Sequence, residues 1–247
     1  MKKHWAYLAI LCFAGVCLSQ GKQSANSRFG LFQDHADVGA SPRAGDTVYD
    51  GVTKEYRVTG GGANIWAKVD AFQFVFTKLS GDVALTADVR FIGAGVEQHR
   101  KAALMIRQSL DPDAPYADIA VHGDGLTSLQ YRETPGDVTK EIRSDLKAPA
   151  RVRISRQGNQ FTVAVSNPGG EWKPLGPVTI NLQDPLYVGL AVCSHNADVR
   201  ETAVFSNVEL VLGNVVQSAL LGNEPTRHFA KGFSGLLPPA KRIARRA

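Results

Sequence analysis

The side chains with the most chemistry to offer in this sequence are Trp66, Asp70, Arg107, Asp118, His122 and Gln130. The last four lie in segments where apolar residues fill every second position, and each falls on the other side. In KAALMIR, Leu104 and Ile106 oppose Met105 and Arg107. In YADIAVH, Ala117, Ile119 and Val121 oppose Asp118 and His122, and in TSLQYRE, Leu129 and Tyr131 oppose Gln130 and Arg132. Alternation of this kind predicts strands with one face in a core. Neighbouring strands would then gather a guanidinium, a carboxylate, an imidazole and a carboxamide into one polar patch, with Trp66 beside it. A sugar ring has an apolar face and a hydroxyl rim, so a flat aromatic next to hydrogen-bonding groups suits it. The plainer arrangement is an ion pair between Arg107 and Asp118, with Trp66 in the core.

Signals for catalysis and for metal are weaker. A retaining glycosidase needs two carboxyl groups ~5 Å apart. Asp82 and Asp88 share a strand six residues apart, much farther at ~3.3 Å per residue. The sequence has no Gly-x-Ser-x-Gly, His-Glu-x-x-His or P-loop. No cofactor is expected. Asp34, Asp37 and Asp124 are the oxygen ligands available to a structural calcium, but they lack calcium-loop spacing and read more simply as solvated turn residues.

The elements that must position these groups are strands. Gly60 to Arg90 is the organising stretch: a glycine-rich turn, then Phe72, Phe74 and Phe76 at alternate positions, a Ser80-Gly81-Asp82 turn, and Val83, Leu85, Ala87, Val89 and Phe91 in alternation. Two such strands around a short glycine turn read as a hairpin. The three phenylalanines are assigned to the core rather than to a ligand platform. Asp46 to Thr59 carries a second hairpin signal at Asp50-Gly51, and 150–156 pairs with 160–166 around Gln157-Gly158-Asn159. Pro185 to Ser194 and Thr202 to Leu212 are the last strands. Trp172, next to Gly169-Gly170, is expected in a loop. Ten or more strands without a long amphipathic helix predict an all-β sandwich or barrel.

The ends of the chain differ from its middle. Residues 1–19 read as a signal peptide: Lys2 and Lys3, an apolar run from Trp5 to Leu18, then Ser19 and Gly21, with cleavage after Ser19 or Gly21. Residues 20–28 read as a linker, 29–212 as the domain and 213–247 as a flexible basic tail. Beyond the leader no run is apolar enough for a transmembrane segment, so the expected location is secreted or periplasmic. Of the three cysteines, Cys12 and Cys17 leave with the signal, and Cys193 is a buried small side chain without a disulfide partner. The formal net charge is +5. Leader and tail account for all of it, and the stretch between them carries two more acids than bases. That excludes a nucleic-acid footprint on the domain. The tail itself could dock on an acidic surface.

The order of signals resembles a bacterial family of secreted concanavalin-A-like, laminin-G-like jelly rolls related to the "regulation of enolase"-type domain. The likeness is carried by His35-Ala36-Asp37-Val38-Gly39, Tyr49-Asp50, Tyr56 with Val58, Gly60 to Trp66, Asp70-Ala71-Phe72, Leu79 to Asp82, Lys101 to Arg107 and His122 to Gly125. It spans Phe29 to Leu212. The resemblance implies a two-sheet antiparallel jelly-roll sandwich whose concave face meets carbohydrate, in a module often placed ahead of a TolB-like propeller. It brings no catalytic residue set, and the Glu-x-Asp-x-x-Glu run of laminarinase-like relatives is missing. The expected function is therefore non-catalytic recognition of a carbohydrate or envelope polymer. The alternatives are a glycan hydrolase or lyase resembling jelly-roll keto-disaccharide hydrolases, and an interaction domain that docks through its tail.

Overall fold

A computed structural model describes residues 28–213. The proposed signal peptide, nearly all of the linker, and the tail after Gly213 lie outside the described residues. Fourteen strands run in chain order: β1 (Asp34–Val38), β2 (Asp46–Asp50), β3 (Glu55–Gly60), β4 (Phe72–Leu79), β5 (Val83–Phe91), β6 (Lys101–Arg107), β7 (Tyr116–His122), β8 (Thr127–Arg132), β9 (Lys140–Arg143), β10 (Arg151–Gln157), β11 (Gln160–Ser166), β12 (Lys173–Thr179), β13 (Leu186–Cys193) and β14 (Glu201–Leu212). They form two seven-stranded sheets, ordered β1-β4-β13-β6-β7-β8-β9 and β12-β11-β10-β5-β14-β3-β2. The strand pairs are antiparallel. This is the expected all-β fold, a two-sheet antiparallel jelly-roll sandwich.

The main core lies between the sheets. Val75, Leu104, Ile106, Ile119, Val121, Leu129 and Leu190 come from the first sheet; Leu85, Ala87, Ile154, Phe161, Val163 and Phe205 come from the second. These are the apolar positions of the alternating segments, so the period-two pattern set the buried face correctly. A second apolar cluster covers the outer face of the first sheet. It contains Phe72, Phe74, Phe76, Ala103, Met105, Tyr116, Ala120 and Ala191, closed by Ile65 from the β3–β4 connection. The centre of the first sheet is therefore buried on both faces: every residue of β6 and β7 is buried, while the edge strands β1 and β9 keep exposed residues.

One sequence expectation needs correction. β4 and β5 are not a hairpin. β4 pairs with β1 and β13, and β5 with β10 and β14. The Ser80–Asp82 turn carries the chain from one sheet to the other. The physical reason is that Val75 of one sheet and Leu85 of the other both belong to the inter-sheet core, while the phenylalanine row lies in the cluster on the opposite side of the first sheet. Side-by-side pairing would put those rows in one layer. The β2–β3 and β10–β11 hairpins form as read, and β7–β8 is a further hairpin.

Candidate functional site

The β3–β4 connection lies as a strap over the outer face of the first sheet. Its glycines permit the entry. Gly62 has φ +101°, and a Cβ there would stand 2.0 Å from the Ala71 carbonyl oxygen, so no other residue fits. The Gly62 carbonyl accepts from Ser194 Oγ at 3.1 Å, and the Ala71 amide donates to the Asn64 carbonyl at 2.7 Å. Ile65 is buried in the second cluster, and its carbonyl accepts from Lys101 Nζ at 2.6 Å.

The far end of the strap is clamped by ions. Asp70 is fully buried and accepts two hydrogen bonds from Arg132, Nη1 and Nη2 each at 2.8 Å. Arg132 also donates to the carbonyls of Ala67, Asp137 and Ala114 at 3.0, 3.0 and 3.1 Å. Arg107 stands 3.7 Å from Asp70 and donates to the carbonyls of Ser109 and Asp111. Burial pushes the Asp70 pKa up, while Arg132 and Arg107 pull it back. A bidentate guanidinium–carboxylate contact is the geometry that offsets such desolvation.

At the other end the strap leaves an open cleft of about 250 Å³. Trp66, half-exposed, and Asn64 form one wall; Lys101, His122 and Gln130 lie beneath; Glu141 and Arg143 of β9 and the loop residues His99 and His195 form the rim. Register explains the assembly. Lys101 is opposite His122 across β6–β7, and Gln130 is opposite Glu141 across β8–β9. Cys193 is opposite Lys101 across β13–β6, which brings His195, two residues on, beside His99, two residues before Lys101.

The cleft is electrostatically ordered. His122 Nδ1 lies 2.9 Å from the Leu126 carbonyl, so Nδ1–H donates and Nε2 is left as an acceptor. Burial, aided by Lys101, lowers the His122 pKa to about 4. The same two causes, with His99 added, lower that of His195. The His99 ring centroid is 6.0 Å from that of His122 and 5.6 Å from that of His195. Lys101 Nζ sits 5.3 Å from the Trp66 ring centroid and 3.1 Å from Gln130 Oε1. Burial pushes Glu141 up, but hydrogen bonds from Arg143, Ser128 and Gln130 outweigh it and hold the carboxyl below its usual range. Ala67 and His195, which flank the cleft, have φ of 54° and 58°. Left-handed backbone at non-glycine residues costs ~1–3 kcal/mol and concentrates at functional sites.

The six residues singled out in the sequence thus divide. Trp66, His122 and Gln130 line the cleft. Arg107 and Asp118 share the same sheet face but are sealed beneath the strap, and Asp70, in the strap itself, is turned in against them, each at 0% exposure. The continuous polar patch is corrected to a cleft beside a buried clamp, because the strap covers what the strand pattern alone leaves open. The Arg107–Asp118 pair is also absent: Arg107 faces Asp70, and neither Asp118 oxygen makes a hydrogen bond. Burial drives the Asp118 pKa up to about 8, against the pull of Lys101. The sequence reading missed His99, His195, Glu141, Lys101 and Arg143 as lining residues. Of the aspartates considered for calcium, Asp37 accepts from the Gly45 amide at 3.0 and 2.9 Å, Asp34 from the His35 amide and Asp124 from the Leu126 amide. No group of three or more His, Cys, Asp or Glu side chains among the described residues stands close enough to hold a metal ion.

A larger crevice, about 320 Å³, lies on the second sheet beside Trp172. There the broad Arg153 guanidinium lies 4.3 Å from the indole centroid, closer than the Lys101 ammonium lies to that of Trp66 at 5.3 Å, and takes up more of the ring face. The Trp66 cleft is the better candidate despite its smaller volume.

No protein-family model matches this chain, and no curated protein does. Solved structures do share the fold. A protein described as functionally unknown from Saccharomyces cerevisiae superposes with TM-score 0.54 at 13% identity, over 72% of this chain and 96% of that one. Lectin II from Ulex europaeus gives TM-score 0.47 at 10% identity, over 73% and 98%. A β-1,3-1,4-glucanase from a mouse hindgut metagenome gives 0.44 at 12%, over 70% and 89%. At these identities the likeness is one of architecture.

Proposed function

We propose that this chain is a secreted or periplasmic binding module that holds a saccharide against Trp66 without transforming it. The observation that carries the reading is the cleft itself: one half-exposed indole at its wall, with an imidazole, a carboxamide and an ammonium fixed beneath by strand register. An aromatic face meets the apolar face of a sugar, and convergent polar groups fix its orientation. At about 250 Å³ the cleft is smaller than the ~300–1,000 Å³ of sites that engulf a drug-sized ligand. It suits a single ring or a chain end.

Recognition is favoured over hydrolysis by the carboxyl inventory. Glycoside hydrolysis uses two carboxyl groups across the scissile bond. Among the described residues lining the cleft, Glu141 is the one carboxylate, and Asp118 is closed off from it under the strap. The leader-like N terminus and the resemblance to secreted jelly rolls support the location, and the basic tail is a second contact for an acidic envelope surface. Glycan-array retention by the full chain, lost on Trp66→Ala, is the expected result. Release of reducing ends from a retained glycan would replace this reading with the hydrolase.

A further inference from the structure

Nothing in simple sugar recognition requires three imidazoles in one cleft. His99, His122 and His195 come from three separate segments; His99 meets His122 edge to face and is tilted against His195. Their placement does not amount to a chelating set. What they share is proximity to a buried ammonium. Lys101 Nζ spends two of its three hydrogens on the Ile65 carbonyl and Gln130 Oε1, and one remains on the side of Trp66.

Cationic and imidazole side chains outnumber carboxylates around this space. Glu141 is already held by Arg143 at 2.7 Å and by Gln130 at 3.3 Å. Hydroxyls of a neutral sugar both donate and accept, and a site built for them offers free carboxylates or carbonyls. Here one carboxamide oxygen, Asn64 Oδ1, is without a partner; the rest of the capacity is an ammonium hydrogen beside the indole and imidazole nitrogens, of which His122 Nε2 becomes a donor on gaining a proton. Such a cleft complements a ligand rich in acceptor oxygens and negative charge.

Resting on the saccharide reading above, we infer that the ligand is an anionic saccharide, its carboxylate or sulfate lying among Lys101, His99, His122 and His195, and that binding takes up protons. The groups facing His122 are Lys101 from β6, His99 from the preceding loop, Asp124 from its own turn and Glu141 from β9. Those facing His195 are Lys101, His99 and Glu97. Asp124 Oδ2 stands 4.0 Å from His99 Nδ1, and Glu141 is taken up by Arg143. Burial and Lys101 keep His122 neutral well below pH 7. An anion placed there reverses the sign of the local field, so the imidazole regains its proton as the ligand arrives.

The sign and size follow by linkage. Affinity rises as pH falls from neutrality, because the bound state holds more protons. If the anion restores His122 from about 4 to its ordinary 6.5, affinity at about pH 5.5 is about ten-fold that at about pH 8.

The test is titration calorimetry of the full chain with trigalacturonate, its neutral methyl ester, a sulfated galactose trisaccharide and zinc alone. Each saccharide is run near pH 5.5 and pH 8, and in two buffers of different ionisation enthalpy to count protons. The inference expects an anionic trisaccharide to bind with proton uptake and about ten-fold pH dependence, and the methyl ester to bind far more weakly. The carboxylated and sulfated arms identify which anion fits. His122→Gln should flatten the pH profile, with a thermal melt confirming its fold; the proton count on the unaltered chain stands whether or not that variant folds. Equal, pH-independent binding of the methyl ester would overturn the inference and leave saccharide recognition intact. Binding of no saccharide would overturn both. Tight zinc binding lost in His122→Gln would overturn it in favour of a metal centre.

Discussion

Arg132→Met removes the guanidinium that ties the strap to the sheet. Arg132 and Asp70 are both fully buried. The substitution leaves Asp70 with Arg107 at 3.7 Å as its remaining cationic contact and takes a donor from the carbonyls of Ala67, Ala114 and Asp137. Breaking a buried pair from one side costs ~3–5 kcal/mol, since the remaining charge stays desolvated. For a domain of this size each kcal/mol lowers Tm by ~2–4 °C, so a fall of about 6–20 °C is expected. Urea denaturation gives the free energy directly. Asp70→Asn in the same background removes the stranded charge and should recover part of the loss, a coupling that a double-mutant cycle reads. The exposed Lys140–Glu133 pair, at 2.8 Å, is the control and should cost less than ~1 kcal/mol. A loss below ~1 kcal/mol for Arg132→Met would refute the clamp.

Three further outcomes rest on the same buried groups and turns. Because the folded-state pKa of His122 is depressed to about 4, its neutral form stabilises the fold above pH 6.5, and that contribution disappears as pH falls toward 4. The span is worth about 3 kcal/mol, and denaturation across this range should show it in the unaltered chain and not in His122→Gln. Asp118 is opposite: its pKa is raised to about 8, so its contribution is complete below about 3.8 and is lost as pH climbs through 8. Asp118→Asn should therefore melt above the unaltered chain near pH 9 and not near pH 5, and equal Tm differences at both would sink the argument. Gly62→Ala forces a Cβ to 2.0 Å from the Ala71 carbonyl at φ +101°; a loss of at least ~2 kcal/mol is expected, and a neutral effect would mean the strap enters differently.

The strand faces were legible because alternation is a local property. Met105, Asp118 and Gln130 fall on one face by counting residues, and the register aligns them across β6, β7 and β8. The strands not read from the sequence, β1, β9 and β12, are all sheet edges. An edge strand has one partner and need not alternate cleanly: β9 has four residues, and β12 carries Pro174 and Pro177, which a central strand would not tolerate. Half of the site was illegible for a related reason. His99 and His195 approach only through the pairing of Cys193 with Lys101, a contact between distant segments that no local pattern announces. The sealing of Asp70, Arg107 and Asp118 depends on where the strap lies. The one sequence signal for that was the glycine triplet Gly60-Gly61-Gly62, a sign of close backbone approach.

The most direct test of the account is the dissociation constant of a retained saccharide, measured by calorimetry for the unaltered chain, Trp66→Ala and Trp172→Ala. Binding at the Trp66 cleft predicts a loss of ~2 kcal/mol or more, roughly thirty-fold, for Trp66→Ala, and an affinity within about two-fold of the unaltered chain for Trp172→Ala. Undiminished binding by Trp66→Ala, or a loss confined to Trp172→Ala, would contradict it.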